Sequence, residues 1–169
     1  MADDKKHSAE IEPLVASLRD KDGMVRENAR DRLVTFGSSA TPFLIPLLGD
    51  NNTQTRWEAA KALGEIADPA SIPALLDTLE DEDDDVAWLA AEALVAIGPP
   101  AAAPLLQRLI DRFESISTQQ GVHHVLRELR HTEIKDTIGP VYEALSRMHS
   151  DTEVIADAEK ALEQLKRKK

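Results

Sequence analysis

The sequence predicts an all-α solenoid made of about five helical hairpins stacked side by side. Three features predict it: abundant Ala and Leu, a proline that returns about every 30 residues, and an apolar stripe with the same period. The chain has 169 residues, of which 42% are hydrophobic and 4% aromatic. Ala and Leu are strong helix formers, whereas strands favour aromatic and β-branched residues. We therefore expect closely packed helices.

The prolines that set the period each precede an apolar stretch. Proline suits the first turn of a helix, where its missing N–H is not used. We therefore expect a first helix, helix A, to begin near each of these residues. They lie 29, 31, 31 and 36 residues apart and are Pro13, Pro42, Pro73, Pro104 and Pro140.

The apolar stripe marks a second helix, helix B, in each unit. Its residues follow the spacing i, i+4, i+8, i+11, which places them on one face of a three-turn helix. Gly37 and Gly98 follow two of the stripes, as expected of a glycine that ends a helix. The five copies, of which the fourth is the weakest, are Val25, Ala29, Leu33 and Phe36; Thr55, Ala59, Leu63 and Ile66; Val86, Ala90, Leu94 and Ile97; Thr118, Val122, Leu126 and Leu129; and Val154, Ala158, Leu162 and Leu165.

Each unit is therefore helix A, a polar turn, helix B and a tight return. One such hairpin cannot bury the apolar faces of both helices alone, so neighbouring hairpins must stack. We predict one domain over residues 1–169, with a polar N-terminal extension at 1–9. The repeats fall at about 10–38, 39–69, 70–99, 100–135 and 136–167.

Composition narrows the classes of partner. The chain has no cysteine, which excludes disulfides, thiolate zinc sites and a cysteine nucleophile. A net charge of -11 opposes binding to nucleic acid or to an anionic membrane, because phosphate binding depends on Lys and Arg. Its apolar stretches are too short to span a bilayer. We expect a cytoplasmic protein whose partner is another protein, and a basic segment would suit it; the oligomeric state stays open.

Three segments carry a family resemblance: DGMVRENARDRLVTFG, NTQTRWEAAKALGEIAD and DDDVAWLAAEALVAIG. They resemble the short HEAT-like repeats of the phycobilisome-lyase type, whose second helix reads roughly D-x-x-V-R-x-x-A-A-x-A-L-G-x-I-G. The resemblance implies a right-handed superhelix whose B helices line a concave surface, with protein binding as the usual role. The sequence departs from it at Ala87, where the family has Arg, and in repeat four, which lacks the Val-Arg pair.

Two tryptophans are the first candidates for a binding site. On a helical wheel, Trp57 and its repeat equivalent Trp88 lie outside the apolar stripe. The indoles could anchor a partner that stacks a Lys or Arg on them, or they could pack against a neighbouring helix and seal the seam between repeats. The resemblance, carried over residue by residue, implies a partner-binding surface made of Glu27, Asn28, Asp31, Trp57, Glu58, Lys61, Glu65, Trp88, Leu89, Glu92, His124 and Glu128.

An acidic run, EDEDDD at residues 80–85, separates the two helices of repeat three. Acidic side chains at this place cap the exposed N–H groups of the next helix, or they could dock a basic segment. Asp81, Asp83, Asp85 and Glu92 also match positions of a calcium-binding loop. Val86 occupies the position where that loop needs glycine, so the pattern favours capping.

The remaining motifs give little sign of catalysis. His124, Glu128 and His131 follow the spacing i, i+4, i+7 and could hold zinc, or they could form an ordinary surface cluster. The sequence contains no Gly-rich phosphate loop, no G-x-S-x-G and no H-E-x-x-H. HEAT-repeat hydroxylases bind iron through His-Glu dipeptides, and none of the five histidines is followed by Glu. HEAT-like DNA glycosylases need a cationic groove, whereas the groove predicted for this chain is acidic.

We therefore expect no catalytic residues, no metal and no cofactor. The leading interpretation is a scaffold or adaptor that binds a segment of a partner protein on its concave face. One alternative is a phycobilin lyase-like or related accessory subunit that assists covalent modification of a bound protein. Another is a structural spacer, which would require both tryptophans to be buried.

Overall fold

The computed structural model describes residues 2–147 and 150–167, and the regular structure in these ranges is entirely helical. The helices pair in chain order into five hairpins. The all-α solenoid predicted from the sequence is confirmed. The α-helices are α1 (Ala2–Ser17), α2 (Gly23–Thr35), α3 (Thr41–Leu44), α4 (Thr53–Ile66), α5 (Ile72–Thr78), α6 (Asp84–Ile97), α7 (Ala102–Asp111), α8 (Ile116–Leu129), α9 (Lys135–Ser146) and α10 (Asp151–Arg167).

The chain divides into two compact units, residues 1–96 and residues 97–169. In the first unit, α1 packs against α3, and α2 packs against α4. First helices therefore stack on first helices and second helices on second helices, as in a solenoid. The short α3 continues as a 3₁₀-helix over Ile45–Gly49, with Pro46 in its first turn.

The apolar stripes form the core of this unit. Ala29 and Leu33 of α2 are buried, and so are Ala59 and Leu63 of α4. The helices α4 and α6 approach closely, because a Cβ placed on Gly64 would lie only 3.3 Å from the Cβ of Ala93. Small residues at this place let the two backbones come together.

The second unit arranges its two hairpins differently. Here α7 contacts α8, α8 contacts α9, α9 contacts α10, and α10 packs extensively against α7. A continuing solenoid would instead place α10 mainly against α8. The four helices therefore form a closed ring, like an up-and-down four-helix bundle.

Two of the five prolines do not mark helix starts, so the sequence prediction is wrong for them. Pro13 lies inside α1 and Pro140 lies inside α9. Both rings are exposed to solvent, where the carbonyl that loses its backbone partner can bind water. Helix α1 already begins at Ala2, so most of the predicted N-terminal extension belongs to the first helix.

Candidate functional site

The candidate site lies on three second helices of the first unit. Position 27 of α2, 57 of α4 and 88 of α6 are equivalent in the repeat, and these helices present the residues that the resemblance selected. We call this surface the B-helix face. Its exposed or half-buried members are Glu27, Asp31, Trp57, Lys61, Glu65, Trp88 and Glu92. Asn28 and Leu89, which the resemblance also selected, each follow the Trp57 register by one residue and turn away from this face.

The two tryptophans differ in exposure. Trp88 is 53% exposed, whereas Trp57 is half-buried. The guanidinium carbon of Arg30 lies 5.9 Å from the centroid of the Trp57 ring, within the range of a cation–π contact. The stacked cation expected from a partner is therefore supplied at Trp57 by the neighbouring repeat.

Glu58 is not part of an accessible surface, which corrects the prediction made for it. Its carboxylate is buried and accepts hydrogen bonds from Arg26 at 3.1 Å, Arg30 at 2.7 Å and Gln54 at 3.1 Å. One residue along a helix is a rotation of about 100°, so the position after Trp57 turns from the open face toward α2. Glu58 therefore joins the seam between two repeats.

His124 is a second correction, because its side chain is buried in α8. The Nδ1 atom of its ring lies 3.1 Å from the Nη2 atom of Arg127. Glu128 is half-buried, and its Oε1 accepts a hydrogen bond from Arg127 at 2.8 Å. This hydrogen bond lowers the pKa of Glu128 below its usual value. Both residues belong to the second unit, so the B-helix face keeps only residues of α2, α4 and α6.

Carboxylates surround Arg30 on the B-helix face. Besides its short contact with Glu58, it lies 3.5 Å from Asp31, 3.9 Å from Glu27 and 4.0 Å from Glu65. Its buried Nε has no hydrogen-bond partner among the described residues. Several carboxylates therefore lie around the single guanidinium of Arg30. Three of them, Glu27, Asp31 and Glu65, remain exposed to solvent.

The acidic turn of repeat three caps a helix, one of the two roles considered for it. Asp83 Oδ1 accepts hydrogen bonds from the backbone N–H groups of Asp85 at 3.1 Å and Val86 at 3.2 Å. Asp81 is bound by Arg56 through two hydrogen bonds of 2.8 and 2.9 Å, and both side chains are nearly buried. This contact holds the pKa of Arg56 above its usual value.

Sequence reasoning missed that this ion pair belongs to a pattern repeated along the turns. The Arg56 Nη1 donates to the carbonyl of Asp50, as the Arg26 Nη1 donates to the carbonyl of Asp20 one repeat earlier. Each turn thus ties its own backbone to an arginine that also binds a carboxylate of the next repeat. The detectable signal was the recurrence of Asp and then Arg six residues later; Ala87 stops the pattern in repeat three.

Asp50 adds a second, more exposed contact between turns. Its Oδ2 accepts two hydrogen bonds from Arg19, at 2.6 and 3.0 Å. The backbone N–H of Asn52 is the main cause of the lowered pKa of Asp50, and Arg19 acts in the same direction.

The histidines of the second unit form an aromatic contact. His123 stacks on Tyr142 with ring centroids 4.9 Å apart, and its Nε2 lies 3.0 Å from the hydroxyl of Ser146. Burial lowers the pKa of His123, and the charge of Arg127 acts in the same direction. In the described parts of the chain, no group of three His, Asp or Glu side chains is placed to hold a metal ion. His131 itself follows the end of α8.

Charge is divided unequally between the two units. Residues 1–96 carry 9 Lys and Arg against 20 Asp and Glu, whereas residues 97–169 carry 11 of each. The whole formal net charge of -11 therefore lies in the unit that contains the B-helix face.

These features define a helical-repeat protein of the α-solenoid class. Residues 41–120 match the family model described as HEAT repeats, which supports the HEAT-repeat family predicted from the motifs. The finer assignment to the phycobilisome-lyase type is not confirmed. HEAT-repeat folds are typical of protein-interaction scaffolds and are generally non-catalytic. Among the described helices, no single one is long and apolar enough to cross a membrane.

Solved structures to which the chain is similar include crystal structures of three engineered proteins. One is 24% identical, with a TM-score of 0.46, and the match covers 92% of this chain and 79% of the engineered chain. A second is 24% identical with a TM-score of 0.49, covering 93% and 81%. A third is 22% identical with a TM-score of 0.47, covering 92% and 47%. No curated protein matches the chain.

Proposed function

We propose that the protein is a binding scaffold that holds a basic segment of a partner protein on its B-helix face. The observation that carries this proposal is Trp88, a large aromatic side chain that is 53% exposed in the acidic unit. Tryptophan is enriched at binding hot spots because it offers a large contact area with few rotatable bonds. An indole flanked by exposed carboxylates suits a partner with both apolar and cationic groups.

Charge supports a basic partner over a neutral one. The exposed carboxylates of Glu27, Asp31 and Glu65 lie on the same face as the indoles, and their unit carries all of the net negative charge. A field of one sign accelerates the approach of an oppositely charged partner, and added salt weakens this effect. Binding should therefore slow and weaken as the ionic strength rises.

The two tryptophans have different roles in this proposal. Arg30 already stacks on Trp57, so Trp57 holds the seam between α2 and α4 together with Glu58. Trp88 is the more exposed of the two and makes the main contact with the partner. The packing alternative considered from the sequence thus suits Trp57, and the binding alternative suits Trp88.

The test uses a synthetic amphipathic peptide rich in Lys and Arg as the probe, and its Glu-substituted counterpart as the reference. We expect calorimetry to detect binding of the basic peptide alone, and Trp88→Ala to weaken it at least tenfold, about 1.4 kcal/mol, because a hot-spot contact is lost. Ile116→Ala is the matched control, because Ile116 is 71% exposed but lies in the second unit. Equal binding by both variants, or no preference for the basic peptide, would contradict the proposal.

The lyase-like alternative has no observation of its own in its favour. It would require a bound cofactor-bearing protein as the partner, and the acidic face is as compatible with many other partners. The spacer alternative needs two buried tryptophans, and the exposure of Trp88 opposes it. A cytoplasmic location remains a prediction.

A further inference from the structure

A second surface lies on the side of α2 that faces away from α4, and it borders the B-helix face because Met24 and Asp31 are seven residues apart. Met24 is 72% exposed and Val25 is 40% exposed, and they are two of the most exposed large apolar side chains in the described chain. With Asn28 and Arg32 they form a ridge of residues about one turn apart. We call this ridge the α2 flank.

The α2 flank is built like an internal seam between repeats. Val25 belongs to the apolar stripe, and in the other four repeats the equivalent residues are buried: Thr55, Val86, Thr118 and Val154. Asn28 is the repeat equivalent of Glu58, which α2 covers in the next repeat. Where the positions of Val25 and Asn28 recur in the next repeat of the first unit, a neighbouring helix therefore covers them.

The flank also forms a groove large enough for side chains of another helix. The groove has a volume of about 390 Å³, with Leu14 and Val25 among its apolar lining and Arg32 at its edge. Methionine adapts its shape to different partners, which suits Met24 to a contact surface. An exposed apolar surface with a polar edge is typical of an interaction site.

A second copy of this chain fits the flank by charge. Suppose that two α2 helices pack antiparallel, with Asn28 of each at the two-fold axis. The rise of about 1.5 Å per residue then places Arg32 of one copy about 6 Å along the helix from this axis. It places Asp22 of the other copy about 9 Å from the axis, on the same side as Arg32. The Arg32 side chain is long enough to span the difference of about 3 Å between these two positions. The two-fold symmetry forms the Arg32–Asp22 ion pair twice. Among the described residues, no carboxylate lies within ion-pair distance of Arg32. Antiparallel helices also align their dipoles favourably.

We propose that two copies of the protein associate through the α2 flank in a two-fold symmetric dimer. The apolar centre is Met24 and Val25 of both chains, and Arg32 and Asp22 form its edges. Because the rest of the first unit is strongly acidic, this flank is where two copies can approach with complementary charge. Glu27 lies about 100° around α2 from Asn28 and so outside the contact, whereas Asp31, seven residues after Met24, lies at its border.

The experiment is sedimentation velocity over a wide concentration range, using the full chain and three variants. We expect the wild type to form a dimer, Met24→Lys to raise the dimer dissociation constant at least tenfold, and Arg32→Glu to act likewise. Ile116→Lys is the matched control, because it also places a lysine at an exposed apolar residue in the first turn of a helix. It should dimerise like the wild type, as should Trp88→Ala.

A wild type that stays monomeric at every concentration would overturn the proposal and leave the flank to a helix of another protein. Equal dimerisation of Met24→Lys and the wild type would place the contact elsewhere and overturn it too. Circular dichroism of each variant verifies that a lost dimer is not a lost fold.

Discussion

Three residues at one register end the second helices of the first three hairpins with a positive φ. They are Gly37 at 56°, Ala67 at 53° and Gly98 at 80°. Glycine adopts this left-handed conformation without cost, whereas a Cβ makes it unfavourable by about 1–2 kcal/mol. The hydrogen bond from the Ala67 N–H to the Leu63 carbonyl, 2.9 Å long, keeps the conformation in place.

Replacing Ala67 with glycine should therefore stabilise the protein. We expect Ala67→Gly to raise the free energy of unfolding by about 1 kcal/mol, the relieved strain minus the added entropy of the unfolded chain. Chemical denaturation measures it. Ala87→Gly, in the interior of α6, is the control and should lower the free energy by about 0.5–1 kcal/mol. A destabilising Ala67→Gly would show that this backbone is unstrained.

The ion pair between Arg56 and Asp81 should contribute far more than the one between Arg19 and Asp50. The first pair is nearly buried, whereas Arg19 is half exposed. Removing one partner of a buried pair leaves an uncompensated charge, so Arg56→Met should cost about 3 kcal/mol. Arg19→Met should cost less than about 1 kcal/mol, because solvent screens an exposed pair. Similar losses in urea denaturation would mean that burial does not distinguish the two pairs.

Periodicity predicted most of the buried residues of the stripes, with Val25 as an exposed exception, but it did not predict what covers the tryptophans. Trp57 and Trp88 have the same register and the same stripe around them, so the sequence treats them alike. They differ because Arg30 lies over Trp57, whereas the repeat equivalent of Arg30 is Ala60. Likewise, Glu58 was assigned to the open face, and only its contacts with two arginines of the preceding repeat place it in the seam. Such contacts depend on how helices pack, which a single-helix wheel does not contain.

At the scale of elements, prolines have two different effects in this chain. Pro73 is in the first turn of α5, where no backbone hydrogen bond is lost. Pro140 is the sixth residue of α9, where it removes the hydrogen bond to the carbonyl four residues earlier. The sequence period predicted the hairpins correctly because the apolar stretch after each proline is helical in either case.

Pro140→Ala should stabilise the second unit. We expect a gain of about 1–2 kcal/mol, because a helix-interior proline costs about 3 kcal/mol and alanine makes the unfolded chain more flexible. Thermal unfolding monitored by circular dichroism measures the change. Pro73→Ala is the matched control and should leave stability unchanged or slightly lower. If both variants behave alike, Pro140 does not strain α9.

At the scale of the whole molecule, the two units differ in net charge. Repulsion among like charges weakens the first unit at low ionic strength, whereas the second unit is neutral overall. The screening length falls from about 30 Å at 0.01 M salt to about 10 Å at 0.1 M, so moderate salt should remove much of this repulsion.

Amide hydrogen exchange can detect this difference. Raising the salt concentration from low to physiological should slow exchange in residues 7–96 more than in residues 97–147, because only the first segment gains from screening. Equal slowing in both segments would indicate a general salt effect. Faster exchange in the first segment would mean that its ion pairs lose more from screening than its repulsion does.

The ring formed by α7, α8, α9 and α10 bears on how such a protein could change by gene duplication. Each helix of the ring already touches two neighbours, so an additional hairpin inserted there would have to break the contact between α10 and α7. The series α2, α4, α6 has no such closure, and an extra copy of the second hairpin could enter it with its caps and stripe intact. Lengthening should therefore be tolerated within the first unit and selected against within the second.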